Sequence, residues 1–125
     1  MILVFGGSYQ GKLDYTLERF KIDANYVYNC GEDTAMPVGK RIINGLDKWI
    51  LALIKAGIDT DKTITDLINQ NPNAVVICTD ISCGVVPIDP QMRKWREAVG
   101  RALAALSRES DEVVRLFCGI ATRLK

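Results

Sequence analysis

The sequence predicts an α/β fold of three layers, with helices on both faces of a mostly parallel β-sheet. Two observations support this prediction. The apolar run at 2–5 leads through a glycine-rich turn into an amphipathic segment at 12–20, which indicates a strand–turn–helix unit. The run at 74–79 (AVVICT) is rich in β-branched residues and does not alternate, which is typical of a central parallel strand buried on both faces.

The predicted elements follow one another as β-α-β-α-α-β-α-β, an order that indicates parallel strands joined by helices. The strands are the apolar or β-branched runs at 2–5, 25–30, 74–79 and 113–118. The helices are the segments with apolar residues at helical spacing, at 12–20, 40–56, 61–70 and 89–107. Residues 41–44 leave an alternative open, because they could form a short strand that enters the next helix. The loops at 31–39 and 81–90 contain prolines and glycines.

The length and charge of the chain limit its class. With 125 residues the chain is expected to form one domain, residues 1–125, with a core of its own. A net charge of +1 disfavours general binding to nucleic acid or to membrane surfaces. No apolar run approaches the roughly 20 residues that span a bilayer. The first apolar run is too short for a signal peptide, so we expect a cytoplasmic protein.

The cysteines and the absence of histidine limit the chemistry. Cys30, Cys78, Cys83 and Cys118 form no CxxC pair, and the chain has no histidine, so a zinc site would need an unusual ligand set. We therefore expect buried structural thiols. Without histidine, the commonest general base near neutral pH, catalysis would use carboxylates, lysine, a metal or substrate positioning.

The turn after the first strand predicts a P-loop, and with it a P-loop NTPase-like (RecA-like) fold. The spacing Gly6-x-x-x-x-Gly11-Lys12 suits a nest of backbone N–H groups around a phosphate, with a lysine for the β- and γ-phosphates. The candidate nucleotide-binding residues are Gly6, Gly7, Ser8, Gln10, Gly11, Lys12 and Leu13. Leu13 replaces the Ser or Thr whose hydroxyl binds Mg²⁺, and Asp14 or Thr16 is a less favoured substitute. A glycine-rich turn that binds nothing is the alternative.

The carboxyl ends of the parallel strands form the expected ligand-binding edge. This edge collects the P-loop, the loop after Cys30, and Asp80 with the loop that follows it. A carboxylate at the end of a strand beside the P-loop strand holds Mg²⁺ or its water in nucleoside triphosphate enzymes. Asp80 is therefore the candidate metal ligand, and a cap at the strand end is the alternative.

The stretch VVICTDISCGVVPIDPQMRKWREAVGRALA, residues 75–104, resembles the adenosylcobinamide kinase / adenosylcobinamide-phosphate guanylyltransferase family. That family has a strand, then E-V-G-x-G-I-V-P, then a helix of the form A-R-x-F-R-D-x-x-G-x-x-N-Q. The start, MILVFGGSYQGK, is similar to M-I-L-V-T-G-G-x-x-S-G-K-S, and the tail, DEVVRLFCGIATRLK, to D-E-V-x-x-V-x-A-G-L-P-L-x-L-K. Residues 44–53 (NGLDKWILAL) resemble D-C-L-T-L-W-L-x-N-L more weakly.

The resemblance implies a ring-like trimer that uses ATP or GTP. Such an enzyme phosphorylates a hydroxyl of a corrinoid, cobinamide, and then transfers GMP to that phosphate through a guanylylated histidine. By position, Gly6, Gly11 and Lys12 would hold the phosphates, and Asp80 would lie near Mg²⁺ or the acceptor hydroxyl. Lys12 and Asp80 are thus the candidate catalytic residues. The candidate substrate-binding residues are Gly84, Pro87, Arg93 and Arg96, and the two arginines could instead contact a neighbouring subunit.

The chain also departs from the family pattern at positions that carry chemistry. It has no histidine, Leu13 replaces the Mg²⁺ hydroxyl, and Asn44 replaces an aspartate at the end of a strand. Such losses remove electrostatic stabilisation worth several kcal/mol in phosphoryl transfer. The open interpretations are a cobinamide kinase that retains only the kinase half-reaction, a degenerate homologue that binds nucleotide or oligomerises, and a different small P-loop kinase.

Overall fold

The computed structural model describes residues 1–8, 10–81 and 88–125. Within these residues the strands are β1 (Ile2–Gly6), β2 (Val27–Asn29), β3 (Ile42–Asn44), β4 (Val75–Thr79), β5 (Glu112–Phe117) and β6 (Ile120–Arg123). The helices are α1 (Lys12–Phe20), α2 (Leu46–Lys55), α3 (Thr60–Gln70) and α4 (Pro90–Glu109), with a 3₁₀ turn at Ala24–Tyr26. None of the helices in this part of the chain has the length and apolar content that crossing a membrane requires.

The strands form one sheet in the order β2-β3-β4-β1-β5-β6. All neighbouring pairs are parallel except β5 and β6, which are antiparallel. Strand β1 lies between β4 and β5, with Ile2 paired to both Val75 and Glu112. The prediction of a mostly parallel sheet is confirmed, and the P-loop candidate follows a central strand.

Helices cover both faces of the sheet and divide the core into two clusters. On one face α1 packs with Leu13, Leu17 and Phe20 against Val4, Ile77 and other strand residues. On the opposite face α2, α3 and α4 pack around Trp49, Leu67, Leu106 and the other sides of the same strands. The central strands are therefore buried on both sides, which accounts for the unbroken apolar run at 74–79.

The segment at 40–56 is not a single helix, and the alternative of a short strand at its start is confirmed. Residues Ile42 and Ile43 are fully buried in β3, and α2 begins only at Leu46. Between them Gly45 has a φ of 81°, a left-handed conformation that glycine adopts at little cost. The prediction of a strand over all of 25–30 is also wrong, because β2 covers only Val27–Asn29. The residues before it form the 3₁₀ turn, which Asp23 caps by accepting a hydrogen bond from Asn25 N.

The tail forms a strand, β6, that was not predicted. Cys118 and Gly119 make a two-residue hairpin turn with φ values of 50° and 75°, the positive values that tight hairpins require. Cys118 is exposed at this turn, so the prediction of a buried thiol is wrong there. Cys30 and Cys78 are buried as predicted, and Cys83 lies outside the described residues.

Candidate functional site

The loop after β1 has the backbone features of an anion-binding loop. Gly6 is buried at the end of β1, and a β-carbon there would lie 2.4 Å from the carbonyl oxygen of Leu116. Gly11 has a φ of 78° and is the N-cap of α1. Because Gly11 has no side chain that could cap the helix, the first N–H groups of α1 remain available to an anion.

Lys12 begins α1 and bends back over the loop. Its Nζ donates a hydrogen bond to the carbonyl oxygen of Gly7 at 2.7 Å. Burial lowers the pKa of Lys12, and the carboxylate of Asp47 opposes that shift. A phosphate placed beside this half-buried ammonium would favour its charged form.

A pocket of about 240 Å³, here called the edge pocket, separates the loop from the carboxyl ends of β3 and β4. One side, the loop wall, consists of Gln10, Gly11, Lys12, Leu13 and Asp14. The other side, the strand wall, consists of Asn44, Gly45, Asp47, Lys48 and Thr79. The pocket therefore lies at the edge where parallel α/β sheets bind their ligands.

Asp47 is a residue of the strand wall that is not among the predicted site residues. It is 6% exposed. Its Oδ1 accepts a hydrogen bond from the backbone N of Thr79 at 3.1 Å, and its carbonyl oxygen accepts one from Trp95 Nε1 at 2.7 Å. A signal was present in the sequence, because Asp47 lies at helical spacing with Ile50 and Ile54 on the apolar face of α2.

Asn44, at the end of β3, uses its side chain to contact the neighbouring strand. Its Nδ2 donates to Asn29 Oδ1 at 3.0 Å. An aspartate at this position would carry the negative charge of the family pattern. Asparagine is neutral, and its amide group donates a hydrogen bond that an aspartate could not donate. The strand wall therefore has its carboxylate at Asp47, in the first turn of α2, and not at the end of β3.

The other predicted loop residues have separate surroundings. Ser8 is exposed. Gln10 Oε1 accepts a hydrogen bond from the backbone N of Cys118, which ties the loop to the β5–β6 turn. Leu13 lines the edge pocket and also packs against the core below α1.

Of the two substitutes considered for the missing Mg²⁺ hydroxyl, only Asp14 lines the edge pocket. Asp14 is exposed in the first turn of α1. Thr16 is fully buried, and its Oγ1 donates to the carbonyl oxygen of Lys12 at 2.8 Å. Its hydroxyl is therefore engaged within its own helix.

Asp80 is half-buried directly after β4. Its backbone N donates to the carbonyl oxygen of Gly6 at 2.8 Å, which joins the ends of β4 and β1. In the edge pocket itself, Thr79 is the β4 residue that contributes to the lining. Catalysis by Lys12 and Asp80, and metal binding by Asp80, stay predictions.

The four predicted substrate-binding residues follow Asp80 in the chain. Arg93 Nη1 donates to the carbonyl oxygen of Ile88 at 2.7 Å, and Arg96 is half-buried on α4. Gly84 and Pro87 lie outside the described residues. The structure therefore places only the two arginines, both on α4, and their contact with a substrate stays a prediction.

The two buried cysteines near the strand wall are unsuited to catalysis. Burial raises the pKa of Cys30 to about 12, and Asp47 adds to this shift. Burial also raises the pKa of Cys78, again with a contribution from Asp47. Because nucleophilic attack and metal binding need the thiolate, both thiols are inert near neutral pH.

The donor set of the edge pocket fits Mg²⁺ only when a nucleotide supplies further oxygens. Among the described residues, no group of three or more His, Cys, Asp or Glu could hold a metal ion. Mg²⁺ commonly binds through one or two carboxylates and the phosphates of its substrate. The strand wall offers the Asp47 carboxylate, with the Thr79 hydroxyl and the Asn44 amide in the same lining.

A second pocket of about 650 Å³, here called the apolar pocket, adjoins the edge pocket. Its lining includes Leu51, Ala52 and Trp95, and it shares Asp47 and Lys48 with the strand wall. A large apolar cavity beside a polar one suits a bulky substrate that presents one polar group to the phosphate side.

Comparison with known proteins identifies the family. Residues 36–124 match the model of the cobinamide kinase / cobinamide phosphate guanyltransferase family. The chain belongs to this family. The matched range contains the strand wall, Trp95 and α4, whereas the loop wall lies before it. No curated protein matches the chain significantly.

Family membership confirms the resemblance inferred from the sequence and agrees with a P-loop NTPase-like α/β fold. It also supports a function of the cobinamide kinase or guanylyltransferase type in cobalamin biosynthesis. Enzymes of this family act on nucleotide and corrinoid substrates.

Proposed function

We propose that the chain binds the phosphates of ATP or GTP in the edge pocket and retains the kinase half-reaction of its family. The main support is the convergence of Lys12 and the uncapped N-terminus of α1 on one wall of that pocket. A cation beside the start of a helix that has no side-chain cap among the described residues suits a polyphosphate.

In the proposed reaction a corrinoid hydroxyl attacks the γ-phosphorus of the nucleotide. A new P–O bond forms to that hydroxyl oxygen, the bond to the β,γ-bridging oxygen breaks, and the nucleoside diphosphate leaves. Lys12 would stabilise the negative charge on the phosphates, and a carboxylate at the strand ends would accept the hydroxyl proton. Asp80, the predicted residue, and Asp47 are the candidates for this proton transfer.

The apolar pocket is the proposed acceptor site. It adjoins the edge pocket through Asp47 and Lys48, so a substrate bound there would reach the phosphate side without crossing the sheet. Leu51, Ala52 and Trp95 provide apolar surface for a large ring system. The predicted contacts of Arg93 and Arg96 with substrate belong to the same proposal.

The guanylyl-transfer half-reaction is not proposed for this chain. The family route proceeds through a guanylylated histidine, and the sequence contains none.

A second candidate function is nucleotide binding without turnover, in a homologue that acts as a binding or oligomerising module. Leu13 favours this candidate, because an apolar side chain lines the edge pocket where the P-loop pattern has a Mg²⁺-binding hydroxyl. The buried hydroxyl of Thr16 does not compensate. The homotrimer expected from the family would fit either candidate.

Nucleotide binding can be tested by the shift in melting temperature that ATP or GTP produces. Lys12→Ala should abolish the shift, because loss of the cation removes charge-assisted hydrogen bonds worth about 3 kcal/mol, or roughly a hundredfold in affinity. Lys62→Ala removes the same charge from the exposed surface of α3 and should leave the shift unchanged. A wild-type protein with no shift at millimolar nucleotide would refute the proposal.

Turnover separates the two candidates. Wild-type protein with Mg²⁺ and ATP or GTP is incubated with adenosylcobinamide, and the phosphorylated product is measured by mass spectrometry. Product that disappears in Lys12→Ala supports the kinase. Nucleotide binding without product at high protein concentration supports the binding module.

A further inference from the structure

We propose that Asp47 supplies, from the first turn of α2, the carboxylate that accompanies a Mg²⁺-bound nucleotide in the edge pocket. This inference rests on the proposed nucleotide binding. It reassigns to Asp47 a role that the family pattern gives to the position of Asn44.

The first support is the position of the carboxylate. Asp47 and Lys12 line the same pocket from opposite walls. A phosphate chain held by Lys12 and the start of α1 would therefore face Asp47 across the cavity. Two negative groups that face each other repel, and a cation bound between them would offset that repulsion.

The second support is the combination of burial and charge. Asp47 is 6% exposed, yet among the residues that the structure describes it forms no salt bridge. Lys12, the cation of the opposite wall, donates its hydrogen bond to Gly7 O and interacts with the Asp47 carboxylate only beyond salt-bridge distance. A buried carboxylate without a cationic partner is costly, and a bound cation would neutralise it.

The third support is that the carboxylate is held in place. The hydrogen bond from Thr79 N engages Oδ1, and the bond from Trp95 Nε1 fixes the backbone carbonyl of the same residue. None of the hydrogen bonds among the described residues uses Oδ2. Asp47 is therefore anchored to β4 and α4 with one carboxylate oxygen available to a ligand, as pre-organised sites require.

Asn44 cannot perform this role. It carries no charge, and its Nδ2 is bonded to Asn29 across β2 and β3. Asp14, on the loop wall, is exposed and follows the phosphate-binding turn within α1. Of the two aspartates that line the pocket, only Asp47 is both buried and opposite Lys12.

The test compares nucleotide affinity with and without Mg²⁺ in wild type and in Asp47→Asn. Asparagine keeps an Oδ1 that can accept the bond from Thr79 N, so this variant removes the charge and preserves the contact. In wild type, Mg²⁺ should tighten ATP or GTP binding. In Asp47→Asn the tightening by Mg²⁺ should fall by about tenfold to a hundredfold, while binding in EDTA should be equal or tighter, since a repulsive charge is gone.

Two further variants complete the design. Asp14→Asn removes a charge from the loop wall and should keep the full Mg²⁺ effect. Asn44→Asp placed in the Asp47→Asn background should recover part of it, because a carboxylate returns to the strand wall. If Asp47→Asn does not fold by circular dichroism, Asp47→Ser provides a smaller neutral variant, which removes the charge together with the contact to Thr79 N.

The outcomes are distinct. A full Mg²⁺ effect in the folded neutral variant, or an equal loss in Asp14→Asn, would overturn the role of Asp47. Wild-type binding that is strong but independent of Mg²⁺ would also overturn it and leave the proposed nucleotide binding intact. Wild type that binds no nucleotide in either buffer would refute the proposed function itself.

Discussion

The two walls of the edge pocket differ in how they follow the pattern of a P-loop site. The loop wall keeps the glycines and the lysine of the pattern, and Leu13 is its one departure. The strand wall has asparagine at Asn44, where the family has aspartate, and a buried carboxylate at Asp47 instead. The positions of a backbone nest therefore accept few residue types, whereas a carboxylate can be supplied from any position that faces the pocket.

The two walls are also identified by independent observations. The family match covers 36–124 and therefore only the strand wall. The loop wall is identified by its spacing, its glycine conformations and the placement of Lys12. Agreement of the two at one edge of the sheet is stronger support for a site than either observation alone, and each wall can be disrupted separately.

The largest expected effect is at Gly6, the last residue of β1, which precedes the loop wall. A methyl group there would lie 2.4 Å from the backbone carbonyl oxygen of Leu116, and backbone cannot rotate away as a side chain can. We expect Gly6→Ala to lower the free energy of unfolding by about 3 kcal/mol, as overpacking does. Denaturation in urea measures this. Gly31→Ala is the matched control, because its added β-carbon has no neighbour within 4 Å, and equal stability of the two variants would contradict the close approach of β1 and β5.

A smaller effect is expected at Trp95 of α4, which holds Asp47 of the strand wall. Its Nε1 donates to the carbonyl oxygen of Asp47 at 2.7 Å, and phenylalanine would remove that bond. We expect Trp95→Phe to cost about 1 kcal/mol of stability and to weaken nucleotide binding in Mg²⁺. Trp49→Phe serves as the control, because the buried Nε1 of Trp49 has no hydrogen-bond partner among the described residues. Trp49→Phe should lower stability through lost packing and leave nucleotide affinity unchanged, and the same drop in affinity in both variants would argue against a specific role for Trp95.

The smallest effect concerns how α1, which carries Lys12, is attached to the sheet. Arg19 of α1 forms a salt bridge and hydrogen bond with Glu112 of β5, and this bond lowers the pKa of Glu112. Because the folded pKa lies below the unfolded value of about 4.3, the stabilisation is present above that pH and is lost as the pH falls through the folded pKa.

Melting temperatures of wild type and Glu112→Gln between pH 7 and pH 3 test this attachment. The wild type should be more stable at pH 7 by about 0.5 kcal/mol, and the difference should shrink below about pH 4. Glu109→Gln, an exposed position at the end of α4, should show no such trend. A difference between wild type and Glu112→Gln that stays constant with pH would exclude an ionic contribution.

Much of the fold could be predicted from the sequence because local patterns dictated it. The boundaries of α1 agree with the predicted 12–20, since its apolar residues repeat at helical spacing up to Phe20. The start of α2 was harder to place. Ile42 and Ile43 also fit a helical pattern, and their pairing with β4 on one side and β2 on the other makes them a strand.

The site was predicted in part for the same reason. Gly6, Gly11 and Lys12 are adjacent in sequence, so their spacing carries the prediction of a loop wall. Asp47 was missed because its contacts, Thr79 N and Trp95 Nε1, lie far away along the chain. Its helical spacing with Ile50 and Ile54 indicates that Asp47 lies on the buried face of α2, but no local pattern indicates which distant groups it contacts there.

The parallel α/β scaffold and the glycine–lysine loop could be predicted from the sequence, because periodicity and spacing are local properties of a chain, and the motifs of the chain carried its resemblance to the family. The identity of the carboxylate that faces Lys12 depends instead on the tertiary structure. Strand pairing brings the end of β4 and the start of α2 together, so the buried carboxylate of Asp47 lines the pocket, with no salt bridge to any of the described residues.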